Sequence, residues 1–324
     1  MRYKSFAFAA LATVMAWSGA SAQNFPTKPI TMVVPFAAGG PTDTVARLIA
    51  QNMSQTLGQQ VIVENVGGAG GTIGAARVAG AEADGHTVLL HHIGQATSAT
   101  LYRNLKYKPA EDFAPVGLIT DVPMTIVAKK DFPAKDLKEL VAYVKKNPDK
   151  VTLANAGVGA ASHLCGMLMM QALGVQLTTV PYKGTGPAMN DLVGGQVDLM
   201  CDQTTNTTSQ IKGGAIKAYA VTTPTRVKSL PDLPTTKEAG LTGVEVAVWH
   251  GLYAPKGTPQ PVVDKLSKAL QTALKDQTVI TRFAELGTEP VAQERATPKV
   301  LGDFVKAEIA RWQPVITQAG VYAD

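Results

Sequence analysis

Two glycine-rich loops contain the residues of this sequence that are best suited to binding an anion. The loops cover positions 36–43 and 155–162, and their candidate contact residues are Phe36, Ala38, Gly39, Gly40, Thr42, Asp43, Asn155, Gly157, Gly159 and Ser162. Each loop separates an apolar run from residues at helical spacing, which predicts a strand, a turn and a helix N-terminus. Such N-termini favour anions, and glycine lets the backbone approach a ligand closely. We expect the loops to bind one carboxylate from two sides; the alternative is that the glycines only form tight turns.

A run of polar residues follows the apolar segment 197–200. It reads Cys201-Asp202-Gln203-Thr204-Thr205-Asn206-Thr207-Thr208. Hydrogen-bonding groups at the carboxyl end of a strand lie where ligands bind in open α/β sheets. Asp202, Thr205 and Asn206 are therefore candidate ligand contacts, together with the hydroxyl of Thr185. The alternative is a solvated loop with a helix cap, in which Asp202 either caps the helix or holds a donor in place.

Catalytic, metal and cofactor chemistries fit the sequence poorly. The spacing Gly157-x-Gly159-x-x-Ser162 falls short of a dinucleotide fingerprint, and no acidic residue follows at the required distance. No G-x-S-x-G or H-E-x-x-H motif occurs, and the adjacent Ser162 and His163 are no catalytic pair. We predict a binding protein without catalytic residues, metal or cofactor. The rival class is an exported enzyme acting on a small acid, with His92 or His163 as the base.

The elements that must position these residues repeat along the chain. Apolar strands, glycine turns and helices alternate near the beginning of the chain and start again near residue 151, which predicts parallel sheets covered on both faces. The last 80 or so residues contain two amphipathic helices without strands of their own, so they should pack back on the first unit. The chain of 324 residues is therefore predicted to form two α/β lobes, 23–122 with 248–324 and 123–247.

The first 22 residues differ from the rest. Arg2 and Lys4 precede an apolar run at 6–17, and Ala20-Ser21-Ala22 offers a cleavage site, as in a secretory signal peptide. We predict export and cleavage after Ala22. An oxidising compartment permits a disulfide between the two cysteines without implying one. The formal net charge is +5 and the densest basic spots are pairs such as Lys129-Lys130 and Lys145-Lys146, so the sequence does not predict a nucleic-acid partner.

An ordered series of motifs resembles the Bug family, the extracytoplasmic solute receptors of tripartite tricarboxylate transporters. The series spans the mature chain and reads Phe25-Pro26-x-Lys28-Pro29-Ile30, Val34-Pro35-Phe36-x-Ala38-Gly39-Gly40-x-x-Asp43, Glu64-Asn65-x-Gly67-Gly68-Ala69-Gly70-Gly71, Gly157-x-Gly159-x-x-Ser162-His163, Val180-Pro181-Tyr182-Lys183-Gly184, Gly194-Gly195-Gln196-Val197-Asp198 and Leu233-Pro234-Thr235.

The resemblance implies a periplasmic Venus-flytrap protein of two doubly wound α/β lobes. Such a protein closes on a small carboxylate and delivers it to the membrane subunits of the transporter. The loops at 36–43 and 155–163, now including His163, would hold one carboxylate, partly through water. We expect a monomer because closure buries the ligand between two lobes of one chain. A sensory role, in which the liganded form is presented to a signalling protein, is not separated from transport.

The sequence departs from the family at two places on the variable side of the cleft. The polar run after Met200 replaces a common Phe-Asp-Asn followed by Leu-Pro, and His91-His92 replaces small residues. Both departures add hydrogen-bonding groups. They favour a second carboxylate or an aromatic ring packed against Phe36, His92 or Trp249. The favoured ligand is an aromatic dicarboxylate such as terephthalate; an aliphatic dicarboxylate, an amino acid and a nicotinate-like acid are the alternatives.

Overall fold

Strands and helices alternate along the chain in a computed structural model that describes residues 24–323. The strands are β1 Ile30–Val34, β2 Val61–Asn65, β3 Thr87–His92, β4 Phe113–Lys129, β5 Thr152–Asn155, β6 Thr178–Pro181, β7 Leu199–Gln203, β8 Ile216–Val221 and β9 Ala247–Pro255. The helices are α1 Pro41–Leu57, α2 Thr72–Ala79, α3 Gly94–Leu101, α4 Leu137–Lys146, α5 Ala161–Leu173, α6 Thr185–Val193, α7 Thr204–Lys212, α8 Gln260–Ala273, α9 Gln277–Glu285 and α10 Pro298–Ala319. The predicted signal peptide lies outside the described residues.

Both predicted strand–loop–helix units are present. In the first unit, the almost fully buried strand β1 leads through the glycine loop into α1, which has Pro41 in its first turn and ends at Gly58 in the left-handed conformation. In the second unit, β5 leads into α5, which ends at Gly174 in the same conformation. The same local signals therefore produce the same local structure twice.

The sheet joins two groups of parallel strands through two long antiparallel ones. The strand order is β2-β1-β3-β9-β4-β7-β5-β6, with β8 paired to β4. Strand β4 pairs with β9 up to Pro123 and with β7 and β8 from Met124 onward. We call β1–β3, β9 and the first part of β4 the first half, and β5–β8 with the rest of β4 the second half. This arrangement is the α/β periplasmic-binding-protein fold that the sequence predicts; the residue ranges of the lobes stay a prediction.

The C-terminal part contains three helices, one more than the sequence predicts. Helix α9 was missed because it is short; Asp276 caps its start. Helix α8 packs on α1 and β4, and α10 packs on α3 and β4, so these two helices cover the first half. Within residues 24–323, no helix combines the length and the apolar character needed to cross a membrane.

A disulfide joins Cys165 on α5 to Cys201 on β7, with a Cα–Cα distance of 6.0 Å. The bond closes a loop across a sequence separation of 36 residues. In the chain-entropy view, a loop of that length lowers the entropy of the unfolded chain enough to contribute about 4 kcal/mol to stability. Strand β7 also extends further than predicted. Cys201, Asp202 and Gln203 belong to the strand, and α7 follows without an intervening loop.

Candidate functional site

Four helices begin around one small cavity between the two halves. In this closed form the cavity has a volume of only about 10 Å³, and it is lined by Phe36, Gly40, Pro41, Thr42, His92, Ala156, Ala161, Ser162, Thr185, Asp202 and Gln203. Helix α1 of the first half starts here, and so do α5, α6 and α7 of the second half. Each helix follows the carboxyl end of a strand, which is where ligands bind in α/β sheets.

None of these four helix starts is capped by a side chain. The N-cap residues are Gly40, Ala160, Gly184 and Gln203, and none accepts a hydrogen bond from the first turn. The first N–H groups of a helix have no partner within the helix, and the dipole makes them attractive to negative charge. Among the described residues that line the cavity, none is Lys or Arg. The site is therefore built to bind an anion mainly through backbone N–H groups.

Three buried histidines lie on the first-half side of the cavity, and His92 is the one of them that lines it. His92 faces His250 across the β3–β9 pairing, and its ring centroid lies 4.5 Å from that of Phe36. The Gly94 N–H donates to Nδ1 of His92 at 2.9 Å, and the His92 N–H donates to Nδ1 of His91 at 2.8 Å. Since both Nδ1 atoms accept, the proton of each neutral ring is on Nε2. His92 can thus donate to a ligand.

These histidines are uncharged because they are buried. Burial lowers the pKa of His92 to about 3 and lowers the pKa of His91 and His250 well below the ordinary value. His250 places Nε2 at 3.3 Å from Oγ1 of Thr42, a residue that lines the cavity. The wall therefore contributes hydrogen bonds and ring surfaces and no positive charge.

Asp202 is the carboxyl group of the opposite wall. It lies in β7 one residue before the strand ends, is 1% exposed, and accepts a hydrogen bond on Oδ2 from Asn206 at 2.5 Å. Burial raises the pKa of Asp202 to about 6, although hydrogen bonding from Asn206, from the Gln203 backbone and from the Thr185 hydroxyl acts in the opposite direction. Within residues 24–323, neither Oδ1 of Asp202 nor Oε1 of the adjacent Gln203 has a hydrogen-bond partner. Buried polar atoms normally have partners, so these two indicate a place for a ligand or water.

Asp43 stabilises the first loop through hydrogen bonds on the side away from the cavity. Its carboxylate accepts hydrogen bonds from the Gly39 N–H at 3.0 Å, from Arg47 at 2.9 Å and from Asn65 at 2.9 Å. Burial alone would raise the pKa of Asp43, but these hydrogen bonds, with that of Arg47 largest, hold it below the ordinary value. Asp43 therefore stabilises the loop as an ion and does not line the cavity.

The second loop is held by its own side chains. Oδ1 of Asn155 accepts from the Gly157 N–H, and Oγ of Ser162 accepts from the Ala156 N–H, both at 2.9 Å. The Gly159 N–H points to Nδ1 of His163 at 3.4 Å. These contacts fix the turn that leads into α5, and burial lowers the pKa of His163, so its imidazole is neutral at pH 7.

The cavity brings together only some of the residues that the sequence predicts. Those that line it are Phe36, Gly40, Thr42, His92, Ser162, Thr185 and Asp202. Those that support the loops or helices without lining it are Ala38, Gly39, Asp43, Asn155, Gly157, Gly159, His163, Thr205 and Asn206. The sequence reasoning missed Pro41, Ala156, Ala161, Gln203 and the second-layer His250.

Trp249 lies on the other side of β9. Its indole N–H donates to Glu308 of α10 at 3.0 Å, and its ring packs against Phe304. Successive side chains of a strand point to opposite faces, so Trp249 must face away when His250 faces Thr42. The predicted contact of Trp249 with a ligand is therefore corrected to a packing role.

The two halves touch each other directly beside the cavity. The Ala37 N–H donates to the Lys183 carbonyl at 2.9 Å, and the Tyr102 hydroxyl donates to the Val158 carbonyl at 2.7 Å. Glycine makes this approach feasible, since a Cβ on Gly186 would lie only 2.7 Å from the Ala38 carbonyl oxygen. The structure therefore has the halves closed over the cavity.

Comparison with known proteins gives a family and a set of similar structures. Residues 45–321 match the model of the tripartite tricarboxylate transporter family receptor. A UPF0065 protein from the ttuE–ttuC' intergenic region of Agrobacterium vitis is 60% identical over 309 residues, which cover 95% of this chain and 89% of that protein.

Three solved structures share the fold over nearly the whole chain. Periplasmic binding protein BugD is 57% identical with a TM-score of 0.91, covering 93% of this chain and 100% of that one. MatC from Rhodopseudomonas palustris, solved with bound malate, is 46% identical with a TM-score of 0.87, covering 90% and 100%. A further R. palustris protein, solved with adipate, is 37% identical with a TM-score of 0.87, covering 92% and 99%.

Proposed function

Since this chain belongs to the tripartite tricarboxylate transporter receptor family, we propose that it captures a small aliphatic dicarboxylate and presents it to the membrane components of such a transporter. The family is one of binding receptors, so no chemical step is expected. The observation that carries the proposal is the convergence of four uncapped helix starts on a cavity with no lysine or arginine in its described lining.

Backbone hydrogen bonds are sufficient for useful affinity. A micromolar dissociation constant corresponds to about −8 kcal/mol. Hydrogen bonds to a charged group contribute roughly 1.5–3 kcal/mol each, so four or five of them offset the cost of association. The hydroxyls of Thr42, Ser162 and Thr185 lie at the same helix starts and add further donors.

Two similar structures support an aliphatic ligand. MatC and the second R. palustris protein were solved with malate and with adipate, respectively. Terephthalate stays as the second candidate because the Phe36 and His92 rings, 4.5 Å apart, offer an aromatic surface.

A thermal-shift screen of residues 23–324 tests the proposal. The panel contains malate, succinate, adipate, citrate, aspartate, glutamate, nicotinate, benzoate, phthalate and terephthalate. At 100 times its dissociation constant a ligand adds about 2.7 kcal/mol of stability, which raises Tm by several degrees. Aliphatic dicarboxylates should give the largest shifts. Shifts by aromatic acids alone would overturn the aliphatic assignment, and no shift with any acid would overturn the receptor proposal.

Three further points belong to the proposal. The receptor acts in the periplasm as a monomer, residues 1–22 are removed after Ala22, and the lobes comprise 23–122 with 248–324 and 123–247. The family and the sequence of the first 22 residues support export. Mass spectrometry of the exported protein should give an N-terminus at Gln23, and any other N-terminus would correct the cleavage site.

A further inference from the structure

The cavity assigned to the dicarboxylate contains a carboxyl group of its own. Asp202 is 1% exposed and lines the cavity. Its Oδ2 is occupied by Asn206, whereas its Oδ1 has no hydrogen-bond partner in the part of the chain that the structure describes. A buried acceptor without a partner, placed at the wall of a ligand cavity, marks the position of a missing contact.

An ionised Asp202 would oppose the binding of a dianion. The described lining of the cavity contains no Lys or Arg that could compensate the charge. The helix starts provide partial positive charge, but two ligand carboxylates already require it. Like charges that share a buried site cannot all stay ionised, and one of them takes up a proton.

We propose that Asp202 is protonated when the dicarboxylate is bound and that its Oδ1–H donates a hydrogen bond to a ligand carboxylate. This inference rests on the proposed function. The proton comes from solvent, forms the O–H bond at Oδ1 and stays on Asp202, so one proton enters the site with each ligand. The receptor thereby recognises a dianion with a neutral carboxylic acid in place of a cation.

Other titratable groups around Asp202 do not account for proton uptake above pH 6. Across the cavity lies His92, behind it are His91 and His250, and α5 carries His163; burial lowers the pKa of all four. The carboxylate of Asp43, on α1, has a lowered pKa and stays ionised.

The other charged groups on the strands and helices packed against β7 lie on β4, on α6 and on α7, where Lys212 is in the last turn. On β4, Lys129 binds Asp198 and Asp121 binds Arg295. On α6, Asp191 accepts from Tyr182. Burial raises the pKa of Asp202 to about 6, the hydrogen bonds from Asn206, the Gln203 backbone and Thr185 oppose that rise, and no charged neighbour contributes. Among the titratable groups around the cavity discussed above, Asp202 is the one whose pKa is raised.

Isothermal titration of the exported chain with malate and succinate between pH 6.5 and 8.5 tests the proposal. Both ligand carboxylates are already ionised in this window. A ligand-induced rise in the pKa of Asp202 favours binding at low pH, and affinity falls as pH rises above the pKa of the free protein. We expect Kd to increase by about tenfold per pH unit until the pKa of the complex is reached. Repeating the titrations in two buffers of different ionisation enthalpy should show close to one proton taken up at pH 8.

The variant Asp202→Asn provides the sharpest comparison. Its amide keeps an acceptor for Asn206 and places an N–H donor where the acid would place its proton. It should bind both ligands at pH 8 at least as tightly as the unmodified protein, with no proton uptake and no pH dependence in this window. Asp198→Asn, on the residue that precedes β7 and pairs with Lys129 outside the cavity, should keep the unmodified pH profile.

Three results would overturn the proposal. The first is unmodified protein that binds malate without proton uptake and with constant Kd, which leaves the receptor function intact. The second is a folded Asp202→Asn protein that no longer binds, since Asp202 would then act as a carboxylate acceptor, for example for an ammonium group. The third is unmodified protein that binds no dicarboxylate at any pH, and this result overturns the proposed function as well.

Discussion

Helix starts at the cavity differ from those on the outer surface. Away from the cavity, Asp136 accepts from the Glu139 N–H at the start of α4, Asp276 accepts from two N–H groups of α9, and Thr297 accepts from α10. At the cavity, α1, α5, α6 and α7 all lack such a side-chain cap. A cap stabilises a helix by about 1 kcal/mol. The four helices at the cavity lack this stabilisation at the place where we propose that a ligand binds.

Lack of a cap alone does not make a binding site. Helices α2, α3 and α8 also start without a side-chain cap, and they begin elsewhere. The difference is convergence, because four starts from both halves meet at one cavity only when the halves are closed. This comparison predicts that changes at the cavity alter affinity with little effect on stability, and that changes at the outer caps do the opposite.

The largest expected effect is that of Gly40→Val. The backbone of Gly40 has φ near −90°, which valine tolerates, but a Cβ would lie 3.3 Å from the Gly186 nitrogen across the cleft. The valine side chain would push the two helix starts apart in the closed form, so Kd should rise by about 100-fold. Titration calorimetry measures the change. Gly80→Val is the matched control, because Gly80 has φ of −93° and its Cβ would contact nothing closer than 3.7 Å.

Unchanged affinity in Gly40→Val would contradict the proposal that the helix starts at the cavity bind the ligand. Equal losses of affinity in the Gly40 and Gly80 variants would indicate a general effect of valine on folding. Thermal melts of both variants distinguish these outcomes, since neither Tm should fall by more than a few degrees. The same closure argument applies to Gly159, whose φ of +84° adds backbone strain to any substitution.

A cap introduced at the cavity should have the next largest effect. In Gln203→Asp the new carboxylate can accept from the first turn of α7, so the variant should be about 1 kcal/mol more stable. The same carboxylate would compete with the ligand for those N–H groups and repel its charge, so Kd should rise by about tenfold or more. Chemical denaturation and calorimetry measure the two quantities. A more stable variant with unchanged affinity would show that α7 does not contribute N–H groups to the ligand.

Removing a contact between the halves should have a smaller effect. Tyr102→Phe deletes the hydroxyl that donates to the Val158 carbonyl at 2.7 Å. A hydrogen bond of this kind contributes roughly 0.5–1.5 kcal/mol, so Kd should rise about two- to tenfold because only the closed form loses the bond. Stopped-flow binding should assign the loss to faster ligand release. A change confined to the association rate would argue against a role in holding the closed form.

The smallest effect on affinity is expected at an outer cap. Thr297→Ala removes the acceptor of the Val300 N–H at the start of α10. The free energy of unfolding should fall by about 1 kcal/mol, and Kd should stay within twofold. Urea denaturation and calorimetry provide both values. A large loss of affinity in this variant would contradict the separation of capped and uncapped helix starts.

Local sequence patterns predicted the loops of the site. The site residues that were not predicted depend on pairing between strands that are distant in sequence. The glycine turns before α1 and α5 follow from residues within a few positions of each other. His250 was missed because its role depends on the pairing of β9 with β3, over 150 residues away. The same pairing determines which face Trp249 occupies, and a strand of unknown register gives no such information.

Element boundaries explain the remaining differences. Asp202 and Gln203 were predicted in a polar segment after the strand, but the pairing of both with β4 extends β7 to Gln203. Polar residues in a strand depend on partners that the local sequence does not contain. We predicted that both residues lie beside a ligand site because they are near the carboxyl end of the strand. That prediction holds wherever the last residue of β7 is placed.

The disulfide has a mechanical consequence for binding. Cys165 lies one turn beyond Ser162 on α5, and Cys201 immediately precedes Asp202 on β7. The crosslink therefore fastens two ligand-contacting elements of the second half to each other. Helix α5 and strand β7 are therefore expected to move together. A ligand then has to fix the position of one half relative to the other, and it does not have to order several separate segments. Reduction of the disulfide would remove this crosslink between α5 and β7.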